Sequence, residues 1–224
     1  MLSIHRPLHP NRSRRVLSLV VLSLACMSLA SCSSSPARVN QPYIDADGAG
    51  ELAMEQYDTN SDGVVAGDEL AKAPGLNSAL QRLDTNGDKG VSADEVAARV
   101  AAWKKMGVGL MSFGFTATLD GSPLREATVT FEPESFLGTE IKSASCTMNL
   151  LGAGSATIAK EDRPDPKSPP GMQLGLYKVK ISRIVGGKET IPAKYNEATI
   201  LGQECAPDVS EILNNRVVFS LTTK

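Results

Sequence analysis

Oxygen-bearing side chains occupy alternate positions at the start of residues 58–69, the segment DTNSDGVVAGDE. The candidate ligands are three short polar side chains, one backbone carbonyl and a distant glutamate: Asp58, Asn60, Asp62, Val64 and Glu69. Calcium is a hard cation that takes six to eight oxygen ligands at about 2.3–2.6 Å. Gly63 stands where a tight loop needs a positive φ angle. Ala66 has no side-chain oxygen, so water would complete the coordination there. The spacing predicts a calcium-binding loop.

A second segment of the same design begins 26 residues later and spans residues 84–95, DTNGDKGVSADE. Its candidate ligands are the side chains of four acidic or amide residues and a serine, with one backbone carbonyl: Asp84, Asn86, Asp88, Gly90, Ser92 and Glu95. Lys89 replaces the glycine of the first loop. A lysine with positive φ costs on the order of 1 kcal/mol, and its charge weakens the local negative field. We therefore expect the second loop to bind calcium more weakly.

Both twelve-residue segments resemble the loops of the EF-hand family, and two complete copies make the resemblance specific. The resemblance implies a helix on each side of each loop and a short ribbon that pairs Val65 with Val91. Leucines recur at i, i+4 and i+7 in residues 76–83, and apolar residues recur with the same spacing in residues 96–103. Residues 51–57 and 68–73 are predicted to form the other two helices, the latter ending at Pro74-Gly75.

Two other interpretations of the loops remain open. The segments could form acidic helix–turn–helix units that hold no ion. They could also form a dockerin-like duplicated loop that binds a protein partner. The helical patterns that precede both loops argue against the second interpretation, because dockerins lack the entering helix.

The N-terminus has the composition of an export signal. Residues 1–15 are basic, and residues 16–30 are apolar but shorter than the roughly 20 residues of a membrane-spanning helix. The sequence Leu29-Ala30-Ser31-Cys32 that follows resembles the lipobox of bacterial lipoproteins. The resemblance implies removal of residues 1–31, lipidation of Cys32 and attachment to the membrane through that lipid. An ordinary secretory peptide with an incidental Cys32 is the alternative.

Residues 32–44 are polar and rich in serine and proline, as a flexible tether from a membrane would be. By resemblance to lipoproteins, Ser33 in place of an aspartate favours sorting to the outer membrane. We therefore expect the protein to lie in the bacterial cell envelope.

The location of the histidines and the net charge of the mature chain exclude several classes of function. The two histidines of the 224-residue chain, His5 and His9, lie within the leader. Cleavage would leave no imidazole to activate a nucleophile or to ligate zinc or iron. Removing the leader's four arginines also leaves 19 Lys and Arg against 25 Asp and Glu, a net charge near −6. We predict a protein that is not an enzyme and does not bind nucleic acid, whose phosphates need cationic partners.

The pattern changes after Lys105 to short runs that alternate or are rich in β-forming residues, separated by Gly, Pro, Asp and Asn. The predicted strands are residues 113–119, 127–132, 140–147, 154–159, 175–185 and 216–222. Many short strands with turn signals and no helical period predict an antiparallel β-sandwich over residues 110–224.

Two motifs in this half resemble carboxypeptidase regulatory-like and transthyretin-like domains. One is the DG-x-PL turn at residues 120–124 with the following strand, and the other is the PG-x-Y-x-V pattern around residues 170–179. The resemblance implies a stabilising or interaction module. It fails at residues 147–158, where a polar DG-type turn is expected. The enzymatic transthyretin relatives depend on histidine, so hydrolase activity is not carried over.

Cys146 and Cys205 would be the remaining thiols of a mature chain lipidated at Cys32. Because export leads to an oxidising compartment, we expect a disulfide between them, worth about 4 kcal/mol by the loop-entropy estimate. Two buried free cysteines are the alternative.

The sequence thus predicts an α+β protein of two domains, an EF-hand pair at residues 45–105 and a β-sandwich at residues 110–224. We expect a calcium-binding, lipid-anchored envelope protein with a structural or adhesive role and an unidentified protein or polysaccharide partner. The alternatives are an interaction module whose loops hold no ion, and an accessory subunit of an envelope enzyme.

Overall fold

The first part of the fold consists of four helices with two loops between them. The structure is a computed structural model that describes residues 39–224. The predicted signal peptide, residues 1–31, and Cys32 lie outside the described residues. The helices are α1 (Ala46–Tyr57), α2 (Gly67–Ala71), α3 (Pro74–Leu83) and α4 (Ala93–Met106). Four helices with these approximate positions were predicted.

Local sequence explains where these helices begin and end. Pro74 is the first residue of α3, where its missing N–H leaves no hydrogen bond unmade. The helix before it ends at Ala71 instead of continuing to residue 73. Ser92 caps α4 in a capping box with Glu95, and Gly107 ends the helix with a left-handed φ of 66°.

A two-stranded ribbon joins the two loops. β1 (Val64–Ala66) pairs antiparallel with β2 (Gly90–Ser92), and Val65 lies opposite Val91. Both valine side chains are completely buried. The pairing predicted from the sequence is confirmed. It fixes the two loops side by side.

The second part of the fold contains two larger sheets and a hairpin. The strands are β3 (Gly114–Leu119), β4 (Ser122–Pro123), β5 (Thr128–Pro133), β6 (Ala144–Thr147), β7 (Ala153–Ser155), β8 (Thr157–Ile158), β9 (Gly175–Ser182), β10 (Ile184–Val185), β11 (Lys188–Glu189), β12 (Gly202–Cys205) and β13 (Val218–Leu221). A five-stranded antiparallel sheet has the order β12-β9-β5-β6-β8. A four-stranded sheet has the order β13-β3-β4, with β7 also paired to β3. β10 and β11 form a separate hairpin.

Short elements fill the connections of this second part. Single turns of 3-10 helix occur at Ser135–Leu137, Lys160–Asp162 and Ala193–Tyr195, and a fifth α-helix, α5, spans Ser210–Leu213. The described residues therefore form an α+β fold with mostly antiparallel sheets, as predicted.

One strand pair departs from the predicted antiparallel arrangement. β13 runs parallel to β3, with Phe219 opposite Ala117. Parallel neighbours need a long crossover connection. About a hundred residues separate the two strands in sequence, so the chain can return in either direction. The prediction of a wholly antiparallel sheet is therefore wrong at this edge.

Aromatic side chains connect the two larger sheets. The Phe131 ring of the five-stranded sheet lies 5.3 Å from the Phe115 ring and 6.1 Å from the Phe219 ring of the other sheet. The angle between the Phe115 and Phe131 rings is 69°, an edge-to-face arrangement that adds to the energy of apolar burial. The two sheets therefore pack against each other through this aromatic cluster.

The helical layer and the sheets share one continuous cluster of buried side chains, which extends from Ala49 to Leu221. Residues 39–224 lie in a single compact unit. A Cβ atom added to Gly202 of β12 would come within 1.8 Å of the Pro74 carbonyl oxygen, so α3 begins directly against this strand. The division into two domains stays a prediction.

Residues 39–44 belong to the segment predicted to be a flexible tether. They have no helix or strand, but the Gln41 side chain donates a hydrogen bond to the Trp103 carbonyl at 2.8 Å. Ile44 packs against the buried core. This part of the predicted tether is therefore fixed against α4. In the described part of the chain, no helix has the length and apolar character needed to cross a bilayer.

The predicted disulfide between Cys146 and Cys205 is wrong, because both are free thiols in the structure. Cys146 lies on β6 and Cys205 on β12, and two other strands separate β6 from β12 in the sheet. Three strand spacings amount to about 14 Å, whereas bonded cysteines have Cα atoms about 4.4–6.8 Å apart. Burial raises the pKa of the Cys146 thiol to about 11 and places that of Cys205 far above its ordinary value.

Replacing Gly50 with alanine should destabilise the fold, because a Cβ there would come within 2.3 Å of the Ala93 carbonyl oxygen. Overpacking of this kind typically costs about 1–3 kcal/mol. Gly48 in the same helix is the matched control, since its nearest neighbour is the movable carboxylate of Asp45. Urea denaturation should show Gly50→Ala less stable than the parent and Gly48→Ala equally or more stable. Equal stability of the two variants would contradict the close contact between α1 and α4.

The thiol state can be measured in full-length chain carrying Cys26→Ser and Cys32→Ser. Without reductant, Ellman's reagent should detect two thiols in guanidinium chloride and react much more slowly with the native protein. Slow native reaction is expected because Cys205 is completely buried and both thiol pKa values are raised. Fewer than two thiols after denaturation would show that an oxidised form exists.

Candidate metal centre

Each candidate loop begins at the C-terminal end of a helix. The Asp58 N–H donates to the Met54 carbonyl at 2.9 Å, and the Asp84 N–H donates to the Leu80 carbonyl at 2.8 Å. The last hydrogen bond of α1 and that of α3 therefore fix the first acidic residue of each loop. Because the two helix ends are equivalent, Asp58 and Asp84 start their loops in the same way.

The first loop is organised by carboxylate and amide oxygens that accept backbone N–H groups. Asp58 accepts from the N–H of Asp62 at 3.2 Å and of Gly63 at 2.9 Å. The Asn60 Oδ1 accepts from the Asp62 N–H at 2.8 Å, and the Asp62 Oδ1 accepts from the Val64 N–H at 3.0 Å. The last two contacts are successive Asx turns, in which a side chain accepts from the N–H two residues later. Together the four contacts turn the side chains of Asp58, Asn60 and Asp62 toward the inside of one loop.

The second loop repeats the scheme residue by residue. Asp84 accepts from the N–H of Asp88 at 3.1 Å and of Lys89 at 3.0 Å. The Asn86 Oδ1 accepts from the Asp88 N–H at 2.9 Å, and the Asp88 Oδ1 accepts from the Gly90 N–H at 2.9 Å. The predicted ligands Asp84, Asn86 and Asp88 therefore lie in the same relation as those of the first loop.

Positive φ angles occur where the sequence predicted them. Gly63 has a φ of 88°, and Lys89, at the equivalent place in the second loop, has a φ of 70°. Lysine therefore adopts the left-handed turn that glycine adopts in the first loop. The predicted conformational strain at Lys89 is present in the structure.

Glutamates close both loops and are largely buried, with Glu69 8% and Glu95 7% exposed. The Glu69 Oε1 accepts from the Thr59 N–H at 2.8 Å and from the Thr59 hydroxyl at 2.7 Å. These bonds hold the pKa of Glu69 below its ordinary value in spite of burial. Burial raises the pKa of Glu95, but hydrogen bonds from Ser92 and Thr85 outweigh it and give a lowered pKa. Both carboxylates are therefore deprotonated at neutral pH. A cation would not have to displace a proton from either of them.

Ser92 has a second task besides its predicted role as a ligand. Its hydroxyl accepts from the Glu95 N–H at 3.4 Å and its backbone N–H donates to the Glu95 Oε2 at 2.9 Å, which together form the capping box of α4. The hydroxyl also donates to the Glu95 Oε2 at 3.0 Å. Val64 and Gly90, whose carbonyls are the predicted backbone ligands, lie on β1 and β2. A Cβ on Gly90 would come within 2.1 Å of the Val64 side chain, so the ribbon requires glycine there.

The donor chemistry of both loops suits calcium. Each loop offers two aspartates, an asparagine, a glutamate and a backbone carbonyl, all oxygen donors. A carboxylate has about four lone-pair sites, and the hydrogen bonds described above use two of those on Asp58. Within residues 39–224, however, no three His, Cys, Asp or Glu side chains are grouped closely enough to hold a metal ion by themselves. A bound ion would therefore require the ligands of a loop to come closer together than they are in this structure.

A buried glutamate that the sequence analysis missed fixes the first loop to the sheets. Glu134 follows β5 and is completely buried. Its carboxylate accepts from the Tyr57 hydroxyl at 2.6 Å and from the Gly75 N–H at 2.9 Å. The Lys178 ammonium lies 3.4 Å from the same carboxylate. Because Tyr57 directly precedes Asp58, this contact positions the start of the first loop.

A second buried glutamate fixes the second loop to the sheets. Glu204 on β12 is completely buried and accepts from the Nε of Arg82, from the Nε of Arg99 and from the Trp103 indole, the last at 3.1 Å. Arg99 also makes two hydrogen bonds of 2.7 Å with Asp208. Arg82 precedes Asp84 by two residues. The helices on both sides of the second loop therefore converge on one carboxylate.

Nothing in the sequence around Glu134 or Glu204 distinguishes it from an exposed glutamate. Glu134 follows a predicted strand, and the segment of Glu204 was not predicted to be a strand. The comparisons with known proteins do not add to the site: neither a family model nor a curated protein matches the chain.

Replacing Lys89 with glycine should strengthen calcium binding at the second loop, because glycine adopts the φ of 70° without strain. Relief of about 1 kcal/mol corresponds to roughly a fivefold gain in affinity. Lys89→Ala is the matched control, since it removes the charge but keeps a β-carbon. Calcium titration in an Asp58→Ala background isolates the second loop. Equal gains for the two substitutions would attribute the weakness to charge and reject strain.

Proposed function

We propose that the chain is an exported, lipid-anchored protein of a bacterial cell envelope that binds calcium through two EF-hand loops, residues 58–69 and 84–95. The main support is the repetition of one hydrogen-bond scheme in both loops. Asp58 and Asp84 accept from backbone N–H groups at equivalent places. The buried pair of Val65 and Val91 joins the loops into one unit.

The proposed coordination uses the residues that the sequence identified. In the first loop the ligands are Asp58, Asn60, Asp62, the Val64 carbonyl and Glu69. In the second they are Asp84, Asn86, Asp88, the Gly90 carbonyl, Ser92 and Glu95. Glu69 exchanges its hydrogen bonds with Thr59 for the ion, and Glu95 exchanges those with Thr85. This exchange lowers the net affinity. A dissociation constant on the order of 10⁻⁴ to 10⁻³ M suffices where calcium is abundant outside the cell.

The role that fits these features is structural or adhesive. The helical residues 45–105 form an EF-hand pair, and residues 110–224 form a carboxypeptidase regulatory-like or transthyretin-like β-sandwich. The aromatic contacts between the two larger sheets support the sandwich. The lipid on Cys32 holds the protein at the membrane, and the sandwich meets a protein or polysaccharide partner. Calcium stabilises the assembly and takes no part in a reaction.

One observation favours a second candidate, an interaction module whose loops hold no ion. Glu69 and Glu95 already satisfy their charge with hydrogen bonds inside the protein. Such loops could keep their shape without calcium. The exposed Asp62 and Asp88 favour the calcium proposal, because the hydrogen bonds within the loops add no cation to balance their charges.

Isothermal titration should find two calcium sites in the parent protein. Asp58→Ala should abolish the tighter site and Asp84→Ala the weaker one, because each removes the ligand that organises its loop. Calcium at ten times the dissociation constant should stabilise each occupied loop by about 1.4 kcal/mol and raise the melting temperature by a few degrees.

The matched control is Asp162→Ala. Asp162 is an exposed residue of the β-rich part, and its side chain has no hydrogen bond or ion pair within residues 39–224. It should leave both sites intact. The absence of heat and of any melting shift at 5 mM calcium would reject the calcium proposal and favour loops without an ion. Tighter binding in the second loop would reject the predicted order of affinities.

A further inference from the structure

A cleft of about 570 Å³ lies against α3, the helix that leads into the second loop. One wall is the exposed face of α3, and the others are β12, α5 and the start of β13. Its polar lining includes Asn77, Gln81, Arg82, Gln203, Glu211 and Arg216. Its volume falls within the range of about 300–1,000 Å³ that is usual for small-ligand sites.

Two arginines line the cleft. The Arg82 Nε is bonded to the buried Glu204, and its Nη2 donates to the Ser78 carbonyl at 3.3 Å, so its guanidinium is held in place while its side chain stays 25% exposed. Arg216 is exposed, and its side chain has no hydrogen bond or ion pair within residues 39–224. One acidic group, Glu211, shares the lining and accepts from Ser210. Because Glu204 balances the charge of Arg82, Arg216 is the lining cation that has no bonded carboxylate within residues 39–224.

Planar amides supply the remaining polar groups. Asn77 and Gln81 lie one turn apart on α3 and therefore share one face of the helix. Neither side chain has a partner among the described residues. Gln203 projects from β12 and donates to the Glu204 carbonyl at 2.7 Å, which leaves its own oxygen free to accept. Amide side chains both donate and accept, as the hydroxyl groups of a sugar do.

Apolar side chains complete the lining. Val209, Val217 and Phe219 are buried at 1%, 5% and 6% exposure and border the cleft. The carbon face of a sugar ring can pack against such a surface, while amides and guanidinium groups bind its edge. Pocket sites commonly combine an apolar lining with a few convergent polar groups.

The geometry points to a binding site for a short acidic saccharide, with Arg216 and Arg82 receiving the carboxylate, and Asn77 and Gln81 the hydroxyl groups. An extended peptide fits less well. A peptide strand would need a free row of backbone groups on β12, but the start of α3 covers that strand at Gly202. The inference goes beyond calcium binding and does not depend on it. It proposes where the polysaccharide partner expected from the sequence would bind and which side chains would contact it.

The test is isothermal titration of the full chain with trigalacturonate and with maltotriose, a neutral saccharide of the same length. Arg216→Ala should weaken trigalacturonate binding at least about tenfold, because hydrogen bonds to a charged group contribute about 1.5–3 kcal/mol. It should leave maltotriose binding nearly unchanged. Gln81→Ala should weaken binding of both saccharides, since it removes a contact to hydroxyl groups.

Arg125→Ala is the matched control, because Arg125 is exposed and lies outside the cleft. With calcium present in every titration, a saccharide bridged to the loops by calcium would respond equally to Arg216→Ala and Arg125→Ala. Circular dichroism checks that each variant is folded.

Three results would overturn the inference. The first is no trigalacturonate binding at millimolar concentration, and the second is equal affinity of the Arg216→Ala and Arg125→Ala variants. The third is triglutamate binding that depends on Arg216 and is tighter than trigalacturonate binding, which would assign the cleft to an acidic peptide. Because the calcium sites are measured separately, loss of the saccharide site leaves the calcium proposal standing.

Discussion

Two carboxylates buried between the helices and the sheets constrain the whole arrangement. Glu134 and Glu204 are both completely inaccessible to solvent. An unpaired ion in such a place costs several kcal/mol, so each needs charged or hydrogen-bonding partners. Their partners include Tyr57, Arg82 and Arg99, which stand on the helices that flank the two loops. The helical layer can therefore dock on the sheets in one orientation, since another would leave a buried charge without a partner.

This constraint explains how small exposed loops can keep a defined shape. Each loop is mostly solvent-exposed and has few apolar contacts of its own, apart from Val65 and Val91. The internal hydrogen bonds of a loop hold its side chains relative to one another but do not fix its ends. Glu134 fixes the residue before Asp58, and Glu204 fixes helices on both sides of the second loop. Preorganised ends reduce the conformational entropy that ion binding would otherwise have to overcome.

The sequence predicted the features that depend on local spacing and missed those that depend on distant partners. Alternate oxygen-bearing side chains located both loops, and the i, i+4, i+7 pattern located α3 and α4. β12 was missed because Gly202–Cys205 has no apolar alternation: Gly202 packs against Pro74 and Glu204 accepts from two arginines. The disulfide prediction failed for the same reason. The oxidising compartment and the length of the closed loop favour a disulfide. The order of strands that separates Cys146 from Cys205, however, is a property of the fold that local spacing does not reveal.

The position of Arg82 connects the two proposed sites through one side chain. It stands two residues before Asp84, donates to the buried Glu204 and lines the cleft beside α3. A shift of α3 on calcium binding that carried the guanidinium away from Glu204 would break a bond to a buried charge. Such a shift is costly, because removing one partner of a buried ion pair typically costs about 3–5 kcal/mol. Glu204 therefore holds this end of α3 in place, and the loop and the cleft can be occupied without large movements of either.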